Sequence, residues 1–99
     1  MKTIDEMISD GSYEQAMTAL DSAISSATMP DAGVDPAQAK YLADLYFRRG
    51  KLNWRLGQRK DALNDYAMAE SLDAGSPASM ALAQARAILD FHAPDLYNP

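Results

Sequence analysis

The side chains best suited to chemistry lie on one short stretch of the chain. Six of the nine basic residues, Arg48, Arg49, Lys51, Arg55, Arg59 and Lys60, fall within thirteen positions of a sequence whose formal charge is -5. At about 100° per residue, Asp44, Arg48, Lys51 and Arg55 share one stripe of a helix, with Phe47 and Trp54 beside it. Clustered guanidinium and ammonium groups can recognise carboxylates, because an arginine takes a carboxylate in a bidentate grip and a lysine adds a compact charge. The same stripe can also be plain surface. An exposed pair such as Asp44 and Arg48 contributes only about 0.3–0.5 kcal/mol, and the remaining charges keep a long helix solvated.

Other candidate groups are sparser. His92 is the single histidine, with Asp90 and Asp95 near it, and a firm metal site needs three or four converging ligands. Asp61 and Asp65 lie one helical turn apart and read as a pair on a solvated face. Cysteine is absent, which excludes disulfides and thiolate metal sites. The serines occur at helix starts and in a loop, without a nucleophile elbow or a glycine-rich phosphate cradle. The sequence is therefore read as a non-enzyme without cofactor or metal. Its pI near 4.6 argues against nucleic acid, which needs a continuous excess of positive charge. No apolar run is long enough for a signal peptide or a membrane span, so the expectation is a soluble cytoplasmic chain.

Five helices must position these residues within one domain of 99 residues. Thr3-Ile4-Asp5-Glu6 has the form of a capping box and opens a first helix that Gly11 ends near Asp10. Tyr13, Ala16, Met17, Leu20, Ala23 and Ile24 give one apolar face of a second helix reaching Ala27. Asp35-Pro36 begins a long third helix to about Leu56, with Ala39, Leu42, Ala43, Tyr46, Gly50 and Asn53 on one face. After Gly57 a fourth helix runs from Arg59 to Leu72, with Ala62, Leu63, Tyr66, Ala69 and either Met68 or Leu72 inward. Asp61, Asn64, Asp65 and Glu70 are expected outward. Ser76-Pro77 opens a fifth helix to about Phe91, whose apolar face comprises Met80, Ala81, Leu82, Ala85, Ile88 and Leu89.

The order Tyr46, Gly50, Gly57, Ala62, Tyr66, Ala69 and Leu72-Asp73 resembles the tetratricopeptide repeat, a family of stacked helix pairs with a period of about 34 residues. Arg49, Asn53 and Ala74 depart from it, standing where the family usually has leucine, an aromatic and proline. Gly11, Tyr13, Ala16, Leu20 and Ala23 repeat the order of Gly57, Arg59, Ala62, Tyr66 and Ala69, so the first two helices read as a degenerate repeat. The resemblance implies an all-α, right-handed α-solenoid. Its parts would be a degenerate pair over 4–27, an insertion loop at 28–35, the long helix and main repeat over 36–74, a capping helix at 76–91 and a tail at 92–99. It also implies a protein-binding module whose concave groove, between the first, third and fifth helices, takes a peptide or protein segment. Asp44, Phe47, Arg48, Lys51, Trp54 and Arg55 would line that groove, with an acidic segment as the natural ligand. The carboxylate clamp of chaperone-binding members is not expected, because Asp5 and Asp44 place acids on the face concerned. The competing reading is a self-associating structural unit, so the expected state is a monomer or a weak homodimer.

Overall fold

The computed structural model describes residues 3–27 and 36–92. The expected insertion loop, with Met29 and Val34, and the tail at 93–99, with Asp95, Leu96 and Tyr97, lie outside them. So do the side chains of Leu89, Asp90, Phe91 and His92. The described residues are all-helical, forming α1 (Ile4–Ser9), α2 (Tyr13–Ala27), α3 (Pro36–Arg55), α4 (Arg59–Leu72) and α5 (Ala78–His92). Each helix packs against the next in the chain.

Local chemistry sets the helix ends. Thr3 caps α1 by accepting the Glu6 amide on its hydroxyl oxygen at 3.1 Å, the forward half of a capping box. Gly11 and Gly57 each adopt φ +82°, a left-handed conformation in which a side chain is strained. Around Gly57 the amide of Gly57 donates to Trp54 and that of Gln58 donates to Asn53. Around Gly11 the amide of Gly11 donates to Ile8 and that of Ser12 donates to Met7. Both are Schellman closures, so the α1–α2 and α3–α4 connections turn by the same device. At α5 the Ser76 hydroxyl accepts the Ala78 amide at 3.1 Å.

The core is two clusters on either side of α3. One is built from larger side chains: Ala16, Leu20 and Ile24 of α2 against Leu42, Leu45 and Leu52 of α3. The other is rich in alanine, with Ala43, Ala62, Tyr66, Ala69, Ala78, Leu82 and Ala85 joining α3, α4 and α5. Each large aliphatic chain buried in the first contributes about 1.5–3 kcal/mol, whereas the second depends on close backbone approach. Gly50 is where that approach is tightest. A Cβ there would lie 2.7 Å from the Tyr66 ring and 3.2 Å from the Asp65 Cβ.

Several expected faces need correction. Asp65 is not on a solvated surface: it is 5% exposed, next to Ala62 and Ala69 at the α3–α4 seam. Of Met68 and Leu72, either of which was expected inward, Leu72 is the partly buried one, in keeping with that expectation, and Met68 is exposed. Among the described side chains of α5 the buried ones are Ala78, Leu82 and Ala85, while Met80 and Ile88 are 69% and 45% exposed. One neighbouring helix covers only part of an apolar face that wraps so far round its helix.

Candidate functional site

The basic stripe of α3 does not act as one surface. The Arg48 guanidinium is committed to two carboxylates, donating to Asp44 at 2.9 Å and to Asp5 of α1 at 2.8 Å. It therefore ties α1 to α3, which matters because α1 contributes no buried residue. Lys51 and Arg55 are exposed and form no ion pair among the described residues. Lys51 lies 5.5 Å from the centre of the Phe47 ring, and Arg55 5.1 Å from that of Tyr13. At these distances the cations are drawn to the ring faces while their heads remain open to a ligand.

Two hollows adjoin along this side of α3. The first, of about 440 Å³, lies between α1 and α3 and is lined by Asp5, Ile8, Asp44, Arg48 and Arg55, among others. The second, of about 320 Å³, lies between α3 and α5, with Trp54, Tyr66, Met80, Ala81, Gln84 and Ile88 among its walls. Phe47 and Lys51 line both, so the hollows meet at this pair. All six residues singled out from the sequence line one hollow or the other. Asp44, Arg48 and Arg55 belong to the charged one, Trp54 to the apolar one, and Phe47 and Lys51 to the junction.

The fifth helix was expected to border the groove, but none of its residues, such as Met80, Gln84 and Ile88, was singled out for the site. Their signal is present nonetheless. At about 100° per residue Ala78, Leu82 and Ala85 fall within 60° of one another, whereas Met80 lies on the far side of the helix and Ile88 between. An apolar face that wide must either meet two partners or remain partly open.

The opposite side of α3 carries a polar cluster that is structural. Arg49 grips Asp65 with two parallel bonds, Nε to Oδ2 at 3.0 Å and Nη2 to Oδ1 at 2.7 Å. Asn53 donates its side-chain amide to Asp65 at 2.8 Å, and the remaining arm of Arg49 reaches Asp21 of α2 at 3.0 Å. One guanidinium thus joins α2, α3 and α4. Hydrogen bonding to Asp65 raises the Arg49 pKa further above its already high value, so the guanidinium stays charged throughout the ordinary pH range. The Tyr66 phenol is also pushed up, first by burial and then by the negative charge of Asp65. No buried side-chain polar atom among the described residues lacks a partner.

An open cleft of about 890 Å³ between α2 and α4 exposes the edge of this cluster and is lined by Glu14, Asp21, Asp61 and Asp65. Among the described residues no three His, Cys, Asp or Glu side chains are grouped to hold a metal ion, and no helix is long and apolar enough to cross a membrane. The two hollows on α3 bring together the Lys51 ammonium, the Arg48 and Arg55 guanidinium groups, the Asp5 and Asp44 carboxylates, the Gln84 side-chain amide and aromatic and aliphatic walls. Comparison with protein-family models, curated proteins and solved structures finds no match to the chain.

Proposed function

We propose that the chain is a small protein-interaction module that takes a peptide or protein segment along α3, between α1 and α5. The observation that carries this reading is the apolar hollow between α3 and α5. Met80 and Ile88 are exposed at its rim, above the partly buried rings of Phe47 and Trp54. Contiguous exposed apolar surface on a small chain marks an interaction site more often than an accident of packing. Its volume suits one or two side chains of a ligand, with the rest of the segment lying along the charged hollow beside it.

The wider architecture proposed is a tetratricopeptide-like stack of helix pairs. The two matching glycine turns support it, as does the small-residue crossing at Gly50, Ala62 and Ala69. Such a stack places α1, α3 and α5 on one side, the side on which both hollows open.

Selection of random dodecapeptides on the immobilised chain tests the proposal. Enriched peptides are expected to bind the wild type and to lose about tenfold or more in affinity for M80S/I88S, whose changes lie on exposed side chains. Failure to enrich any binder, or binders indifferent to that double variant, would contradict it.

A further inference from the structure

We infer that the segment taken by the α3–α5 hollow is an apolar one flanked by carboxylates, with a large aliphatic or aromatic side chain seated between Trp54, Met80 and Ile88 and an aspartate or glutamate meeting Lys51. This inference rests on the groove reading above and specifies its ligand.

The charge distribution carries it. The chain has 14 acidic residues against nine basic ones, yet among the described residues no acid lines this hollow, and Lys51 is the one charged residue of its lining. Lys51 is exposed and has no carboxylate among the described residues, although Arg48, one turn earlier, has two. A second cation stands at the edge: the Arg59 guanidinium covers the Trp54 ring at 4.0 Å. Among the described residues, an incoming carboxylate therefore finds an ammonium with no carboxylate partner beside an apolar seat, and no acidic lining residue to repel it. A basic segment would meet Lys51 and Arg59 as like charges, which is unfavourable for recognition.

The same argument disfavours a second copy of the chain as occupant. A two-fold interface centred on this hollow would bring Lys51 and Arg59 toward their counterparts. It also separates the roles of neighbouring cations. Arg48 already meets Asp5 and Asp44, so the preference for acid comes from Lys51, with Arg55 next along the helix.

Trp54 is the only tryptophan, so its emission reports directly on the hollow. Three tryptophan-free peptides serve as probes: one with two leucines and a phenylalanine between aspartates, and two copies with every aspartate changed to asparagine or to lysine. The aspartate peptide is expected to bind about tenfold or more tightly than the lysine peptide, with the asparagine peptide between them and the advantage shrinking at high salt. In Lys51→Glu the order of the charged peptides should reverse, and in Lys51→Met the preference should collapse while the helical circular dichroism is retained. Equal affinity for all three peptides would overturn the inference and leave the groove reading standing. Tighter binding of the lysine peptide, or no binding of any of the three, would overturn the inference, and the dodecapeptide selection then judges the groove independently. Concentration-dependent Trp54 emission accompanied by a doubling of mass, without peptide, would make a second copy the occupant and overturn it as well.

Discussion

Helix α3 presents two faces with similar ingredients and opposite outcomes. Toward α2 and α4 it offers Arg49 and Asn53, and both are consumed by Asp65, with Asp21 taking the last arm of the arginine. Toward α1 and α5 it offers Lys51 and Arg55, and neither meets a carboxylate among the described residues. The first face joins three helices; the second lies open beside exposed methionine and isoleucine. Arg49 differs from Lys51 in having a buried acid opposite it, Asp65, which lies on another helix.

The largest expected effect breaks the closed face. Asp65→Ala removes the shared acceptor, leaving the Arg49 charge and the Asn53 amide without their main partner. The loss of stability to urea should be about 2–4 kcal/mol, toward the lower end because Arg49 retains Asp21 and some contact with water. Replacing the pair together, R49L/D65L, should recover most of this, since apolar groups of similar volume often substitute for a buried ion pair. A loss below about 1 kcal/mol for the single variant would show that the cluster is not structural.

Gly50→Ala tests the same face by volume instead of charge. The new methyl carbon meets the Tyr66 ring at 2.7 Å, and that ring is buried with Phe47 6.0 Å away, centroid to centroid. Overpacking should outweigh the gain of about 1 kcal/mol in helix propensity, for a net loss of about 1–3 kcal/mol in thermal or chemical unfolding. A stabilised variant would mean that the helices cross elsewhere.

A smaller effect sharpens the contrast through pH. Tyr66 has a raised pKa in the folded chain, so folding favours the neutral phenol. The associated stability is intact below the ordinary tyrosine value and is lost as pH rises through the folded one. Between about pH 9 and 11, Tyr66→Phe should therefore lose less stability than the wild type. Equal losses would place the alkaline sensitivity in another group.

Much of the helical frame was legible because it depends on local rules. Gly11 and Gly57 announce turns by needing positive φ, and Gly50, Ala62 and Ala69 announce a close crossing by their size. Asp65 was misplaced because its spacing from Asp61 looked like a solvated pair. On the wheel, however, it lies only about 60° from Ala62, within reach of the seam. Arg49 and Asn53, one turn apart and both polar where apolar residues were expected, were the better signal: two such departures call for one buried acceptor. Arg48 could not be assigned from its own helix, because the second acid that it meets lies on α1. Met80 and Ile88 were correctly read as apolar, but hydropathy alone does not say which part of a wide face a single neighbour leaves uncovered.

Arg49 joins α2, α3 and α4, whereas Lys51 meets no carboxylate among the described residues and is the cation proposed to meet a ligand. Arg49→Met and Lys51→Met, compared side by side for urea stability and for affinity to the aspartate peptide, test this division of roles most directly. Arg49→Met should lose about 2–3 kcal/mol in stability, with affinity kept under conditions where the variant is folded. Lys51→Met should keep its stability within about 0.5 kcal/mol of the wild type and fall in affinity about tenfold. The opposite assignment, or equal effects of the two variants on both measurements, would contradict it.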